Sequence, residues 1–190
     1  MNQSLERSVL FYKEKFEIVW NGIGLQNLEN LVEDLLLAWK NQTNVFLCGN
    51  GGSATNANHI ANDLIYGINP KGRGIRANSL CANESIMTCL ANDTGYENIF
   101  GKQLYTLGNP GDYLITFSGS GNSENLVEAL KIAKKMKIKT HAIVGFDGGH
   151  CAKLAENCIH FKINHMQISE DFQTIIFHML ILRIKDEIEQ

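Results

Sequence analysis

The chain has 190 residues, 44% hydrophobic and 19% charged, with 17 basic against 20 acidic side chains and a formal net charge of −3. This composition predicts one globular domain long enough to bury a full core. It lacks the broad positive field of a nucleic-acid binder, so no nucleic acid is expected as a partner.

The first forty residues predict two helices. Leu5, Val9, Tyr12, Phe16 and Val19 recur at intervals of three and four, and after the break at Asn21-Gly22-Ile23-Gly24 so do Leu25, Leu28, Leu31, Val32, Leu35, Leu36 and Trp39. These apolar stripes are too wide for lone surface helices and predict packing on a core or on another subunit. From residue 44 the rhythm changes. Val45-Phe46-Leu47-Cys48 reads as a buried strand, followed by a glycine loop and a helix from about Ala54 to Tyr66. Asn69–Gly74 reads as a loop. Tyr113–Phe117 reads as a strand, with a helix from about Ser123 to Met136. His141–Gly145 is the next strand, then a loop at Phe146–Gly149 and a short helix. Cys158–Ile163 is a last strand, and a helix from about Gln167 to Ile188 closes the chain. Continuous apolar strands alternating with helices predict a parallel α/β sheet covered on both faces. One domain spanning 1–190 is expected, with 1–42 a helical extension and 43–190 the α/β core.

Five cysteines, an odd number without CxxC spacing, speak against a disulfide framework or a four-cysteine zinc site, and for reduced thiols in the cytoplasm. Met1 to Lys15 has no apolar core run and no small-residue cleavage site, so no signal peptide is expected. No apolar stretch approaches the roughly 20 residues of a bilayer span, so no membrane partner is expected.

Ligands of an open parallel sheet bind beyond the carboxyl ends of its strands. Two such loops are chemically alike: Asn50-Gly51-Gly52-Ser53 and Ser118-Gly119-Ser120-Gly121-Asn122-Ser123. Each leads into a helix. Glycines let backbone N–H groups turn toward an anion, the helix N-terminus adds partial positive charge, and serine hydroxyls donate further hydrogen bonds. Ser53 and Ser123 would serve equally as N-caps of ordinary βα turns. Neither loop carries Gly-Lys-Ser/Thr or GxGxxG, so no nucleotide cofactor is expected.

His59 and Asp63 lie four apart on the helix after the first loop, one turn apart on one face. Asn92-Asp93 reads as a loop after Leu90 that comes near them. The last helix carries Glu170 and His178 on an otherwise apolar segment, where polar groups are costly unless they meet partners. Two histidines and two carboxylates suit a Zn²⁺-like cation and equally suit general acid–base work. Glu170 and His178 are eight apart, which on a straight helix separates them by about 12 Å in height and about 80° in direction. One of the two can therefore serve a neighbouring subunit's site. His141 and His160 read as structural, and His150 as a cap of the next helix. His165, just before the last helix, is a secondary site candidate.

Cys48-Gly49-Asn50-Gly51-Gly52-Ser53, Ala91-Asn92-Asp93, Ser118-x-Ser120-Gly121-Asn122-Ser123 and Asp147-Gly148-Gly149 occur in that order. On these motifs the chain resembles the sugar isomerase (SIS) domain family and, within it, the phosphoheptose isomerases. The resemblance covers nearly the whole chain. It implies a flavodoxin-like five-stranded parallel sheet with helices on both faces. It also implies a homotetramer with active sites at subunit interfaces, and interconversion of sedoheptulose 7-phosphate and D-glycero-D-manno-heptose 7-phosphate, which feeds lipopolysaccharide or capsule synthesis. Ser53, Ser118, Ser120 and Ser123 would hold the phosphate, with Asn50, Gly51, Gly52, Asn92 and Asp93 along the sugar. His59 and His178 match family metal positions, zinc being the usual ion, and His178 also matches the catalytic histidine. Three residues depart from the family pattern: Asp63 stands for Glu, Glu170 for Gln and Gly119 for Thr. Asp63 and Glu170 are thus both candidates for the carbon base, and the candidate metal set is His59, Asp63, Glu170 and His178. The alternative class is a non-catalytic phosphosugar-binding protein or a scaffold that associates with the replication initiator DnaA. Those relatives lose the histidine and carboxylate pair that this chain keeps.

Overall fold

The computed structural model describes residues 4–188. Residues 1–3 and 189–190, the ends of the expected 1–190 domain and the start of the segment read for a signal peptide, lie outside the described residues. Two helices lead, α1 (Leu5–Gly22) and α2 (Leu25–Asn41). Then come β1 (Asn44–Gly49), α3 (Gly52–Asn62) and a π-helical turn at Asp63–Gly67. Next are β2 (Arg76–Ser79), α4 (Glu84–Thr94), a 3₁₀ turn at Tyr96–Asn98 and α5 (Gly101–Leu107). β3 (Tyr113–Ser118), α6 (Glu124–Met136), β4 (Lys139–Val144), α7 (Gly149–Leu154), β5 (Asn157–His160) and α8 (Met166–Ile188) complete the chain.

The five strands form one parallel sheet in the order β2-β1-β3-β4-β5. Right-handed crossovers then require the helices to change faces where the order reverses, between β1 and β3. α2, α3 and α8 pack on one face, and α6 and α7 on the other with α5 against α6. Strands covered on both faces need apolar side chains in both directions. Val45, Phe46, Leu47 and Cys48 of β1 and Leu114, Ile115 and Phe117 of β3 meet that need, each at most 2% exposed.

Several expectations are corrected. The helix expected at 54–66 begins at Gly52 and gives way at Asp63 to the π-helical turn. The last strand ends at His160, since Phe161–His165 are irregular. β2, α4 and α5 have no counterpart in the sequence reading of the individual elements. Of the stretch expected as an extension, α2 belongs to the core: Leu28, Leu31, Val32, Leu35 and Ala38 are buried. α1 lies across α8, with Phe16 and Trp20 against Phe172 at ring-centroid distances of 4.8 and 5.5 Å. Its outer stripe stays uncovered, Leu5 at 81% and Val9 at 60% exposure. No described helix is long and apolar enough to cross a membrane. The cysteines form no disulfide. Burial, and secondarily neighbouring Cys81 and Cys151, push the Cys48 thiol well above its ordinary value. A thiol so held is a small core hydrophobe, not a nucleophile.

The buried polar group that fastens α2 to the sheet is Asp34. Its carboxylate lies 2.8 Å from Lys139 Nζ and 2.9 Å from His141 Nε2, both on β4. Asn157 Nδ2 faces His141 Nδ1 at 3.0 Å and also donates to the Asn27 carbonyl. His141 Nδ1 is therefore the acceptor of that pair. Burial raises the Asp34 carboxyl, but the neighbouring His141 and Lys139 outweigh it and hold the group below its ordinary 3.8. A carboxyl depressed by folding stabilises the fold above its unfolded value, and that contribution is lost as pH falls through the folded one. Asp34→Asn is expected to cost about 2–3 kcal/mol at pH 7. In urea unfolding, the gap between variant and parent should close as the pH is lowered below about 3.8. A gap that is unchanged at low pH would contradict this assignment.

Candidate active site

Gly49 of β1 pairs with Phe117 of β3, so the two glycine-serine loops start side by side at the point where the strand order reverses. In the first loop Gly51 has φ +56°, which glycine adopts without strain. Gly51, not Ser53, is the N-cap of α3. Ser53 lies inside the first turn at 3% exposure. In the second loop Ser118 Oγ accepts from Gly121 N at 2.9 Å and Ser120 Oγ accepts from Asn122 N at 3.2 Å. These bonds occupy hydroxyl lone pairs and leave the O–H hydrogens free to donate. Ser123 stands at the N-cap of α6 but makes no capping bond with its side chain.

The two loops close on one hollow of about 250 Å³. Asn50, Gly51 and Ser53 line it from one side and Ser118, Gly119, Ser120 and Ser123 from the other. Met166 and Glu170 of α8 form the third wall. Neither Lys nor Arg lines it. A Cβ on Gly119 would overlap the Met166 sulfur, and a Cβ on Gly52 would overlap the Glu170 carboxylate. Gly119, where the resemblance implies a threonine, thus leaves room for a thioether. The first turn of α7 braces the hollow from behind: His150 N donates to Asn122 Oδ1 (3.1 Å) and Cys151 N to the Gly121 carbonyl (2.9 Å). The cap expected from His150 is therefore reversed, since Asn122 supplies the side chain. His165 ends in structure as well: its Nδ1 accepts from Ile168 N and its ring lies against Phe11 and Tyr12.

Asn92 and Asp93 are not in a loop. They occupy the last turn of α4, exposed, with Asn92 Nδ2 donating to Asp93 Oδ1 at 2.7 Å. Neither lines the hollow. The corner they belong to reaches it through Tyr96, whose hydroxyl donates to Asn50 Oδ1 at 2.9 Å.

α3 and α8 run alongside each other. Glu170 meets Gly52, Gln173 and Thr174 bond to Asn56, and His178 meets His59. At the far end His59, Asp63 and His178 converge. The two Nε2 atoms are 2.9 Å apart, and each is 3.5 Å from Asp63 Oδ2. Asp63 therefore reaches both imidazoles although it is a methylene shorter than the family glutamate. A Cβ on Gly67 would be 3.4 Å from Asp63 Oδ1, in ordinary contact. Zinc bound at about 2.0–2.1 Å holds tetrahedral donors about 3.3 Å apart. Edges of 2.9, 3.5 and 3.5 Å bracket that value, and two imidazoles with one carboxylate leave a fourth position open. The three residues fit a divalent cation. Glu170, the fourth expected donor, stands apart: eight residues along α8 put it about 12 Å from His178, at the hollow instead.

Residues 20–145 match the SIS domain family. The chain is 34% identical over 180 residues to the phosphoheptose isomerase of a Nitratiruptor species, covering 95% of this chain and 96% of that one. The chain belongs to the phosphoheptose isomerase family of SIS-domain proteins. A further family member, from Cytophaga hutchinsonii, is 40% identical over 147 residues, which cover 76% of this chain and 75% of that one. The solved phosphoheptose isomerase of Neisseria gonorrhoeae superposes with a TM-score of 0.87 at 27% identity, covering 96% of this chain and 98% of the other. The family's parallel sheet and leading helices are thus those described above.

Asn125, Tyr96 and Met166 are site neighbours that the sequence reading missed. Asn125 lies two residues past Ser123 and carried the only usable signal, an amide just inside a helix that follows a serine-rich loop. For the triangle, titration with Zn²⁺ against a chromophoric chelator is expected to find one tight site per chain. His59→Ala and Asp63→Asn should each weaken it about a hundredfold or more, while Ser120→Ala leaves it unchanged. Equal affinities for all four proteins would refute the assignment.

Proposed function

We propose that this chain is an aldose–ketose isomerase of a phosphosugar, converting sedoheptulose 7-phosphate to D-glycero-D-manno-heptose 7-phosphate through an enediol. The observation that carries this reading is the convergence of serines from two separated loops on one hollow, on a scaffold where α3 with the turn after it and the middle of α8 bring together His59, Asp63 and His178. Its family membership supports the same reaction. The product would feed bacterial lipopolysaccharide or capsule synthesis, and the enzyme would work in the cytoplasm.

In this reading Ser53, Ser118, Ser120 and Ser123 and the loop N–H groups hold the phosphate as a remote handle, whose binding energy orients the reacting end. Asn50, Gly51, Gly52 and Gly119, with Asn92 and Asp93 from α4, border the sugar. His59, Asp63 and His178 would hold a zinc ion, which when bound supplies Lewis-acid polarisation of the carbonyl. A carboxylate removes the proton from the carbon beside the carbonyl and returns it to the neighbouring carbon, while His178 moves protons between the two oxygens. Two carboxylates compete for the carbon: Asp63 lies beside His178, and Glu170 stands outside the triangle with its carboxylate free of it.

A homotetramer with active sites at subunit interfaces completes the proposal. Its support is the half-exposed state of the His59 and His178 side chains, at 47% and 52%, together with the uncovered outer stripe of α1. The leading segment 1–42 would take part in assembly, through α1. Glu170 of one copy and His178 of another would then face one substrate. The non-catalytic alternative is disfavoured by the intact histidine and carboxylate triangle.

Incubation with sedoheptulose 7-phosphate and Zn²⁺ should yield the aldose. Ser120→Ala is expected to raise KM about tenfold or more with a smaller change in kcat. His178→Ala should abolish turnover while keeping phosphate affinity. Co-expression of Glu170→Ala with His178→Ala should restore up to about a quarter of parent activity if sites are shared between copies. Absence of turnover in the zinc-loaded parent would defeat the enzyme reading. Absence of recovery in the mixed oligomer would defeat the shared site alone.

A further inference from the structure

Asn125, the second residue of α6, is 1% exposed. A buried amide is costly unless its donors and acceptor are paired. Asn125 finds its partner in the other loop: Asn125 Nδ2 donates to Asn50 Oδ1 at 2.8 Å, and Asn50 Nδ2 donates back to Asn125 Oδ1 at 2.9 Å. The Tyr96 hydroxyl donates to the same Asn50 Oδ1 at 2.9 Å. Both lone pairs of that oxygen are thereby taken. Turning the Asn50 amide alone would set its NH₂ against that of Asn125, so each amide holds the other in place. Among the described residues no other side-chain hydrogen bond joins residues 50–53 to residues 118–125.

We propose that Asn125 is the positioning residue of the phosphate hollow, acting through Asn50 to set the separation of the two glycine-serine loops. The inference rests on the reading of that hollow as a phosphate site. A cradle of hydroxyls and main-chain N–H groups has no long cationic side chain that could follow a displaced anion. Its affinity therefore depends on the spacing of its two halves, and displacements of about 1 Å are enough to matter. The 3₁₀ turn carrying Tyr96 is held to the same amide, so the corner bearing Asn92 and Asp93 is placed by the same device.

The test measures the Kd of inorganic phosphate for the full chain in its native assembly, with kcat and KM for the phosphosugar alongside. Asn125→Leu, close in size but without the amide, should weaken phosphate about tenfold and raise KM in step, with kcat changed less. In the Asn50→Ala background the same substitution should cost nothing further, because Asn125 acts through Asn50. Tyr96→Phe, at an exposed position that leaves folding intact, should weaken phosphate about threefold; it decides the matter if Asn125→Leu does not fold. Unchanged phosphate affinity in the folded variants, or losses that simply add in the double variant, would overturn the proposal. A parent that binds no phosphate would overturn the reading of the hollow and this inference with it; a parent that binds phosphate as tightly as Asn125→Leu overturns the inference only.

Discussion

The hydrogen bonding of β1 directly to β3 is the constraint on which the site depends. It fixes the register that puts Gly49 opposite Phe117, so two loops 68 residues apart in sequence, counting Asn50 to Ser118, begin as neighbours. Because the sheet winds in opposite directions from this pair, no crossover helix covers the space above it. Helices α3 and α6 then start from the same crevice on opposite faces of the sheet and direct two N-termini at it. A strand inserted between β1 and β3 would leave every serine in place and still destroy the hollow.

The electrostatics follow from that arrangement. In the proposed phosphate site two helix N-termini and several hydroxyls would stand in for the Lys or Arg of many such sites, and fixed dipoles cost no side-chain entropy on binding. They also impose discipline: neutral donors reward an anion only at the right distance, which is why the glycines matter. Gly51 supplies the positive φ, and Gly52 and Gly119 leave space for neighbours. The triangle of His59, Asp63 and His178 makes the opposite use of helical geometry. The i, i+4 spacing from α3 into the turn that follows it holds two donors, and α8 alongside supplies the third.

Much of this was legible because buried parallel strands leave a strong signature. The apolar runs at 45–48 and 113–117 and the glycine-serine loops after them identify β1, β3 and both halves of the hollow. β2 escaped for a physical reason. It is an edge strand of four residues, Arg-Ala-Asn-Ser, exposing Arg76 and Asn78, and no apolar run marks it. α4 has no buried residue, so it lacks the apolar stripe that makes a helix visible, and Asn92-Asp93 read as a loop. The π-helical turn after Asn62 has no periodicity of its own. Helix phase could say that Glu170 and His178 point to different places, but not which of them joins His59, because that depends on how α3 and α8 pack.

Gly119 and Glu170, two positions where the resemblance implies other residues, meet at one wall of the hollow. Met166 and Glu170 lie four apart at the start of α8, so both project from the same face into the hollow. Each fits against a glycine of a different loop: Met166 against Gly119, Glu170 against Gly52. A threonine at 119 would meet the Met166 sulfur, and that thioether would have to shift to make room. Glu170, by contrast, puts a carboxylate in the wall of the hollow proposed to take a phosphate. Its carboxylate lies against the first residue of α3, where the helix dipole favours an anion, and this is the local compensation that keeps the charge tolerable. In the proposed reading the phosphate and the Glu170 carboxylate would draw on the same helix terminus, so their competition would weigh on the affinity of the hollow alongside the serines.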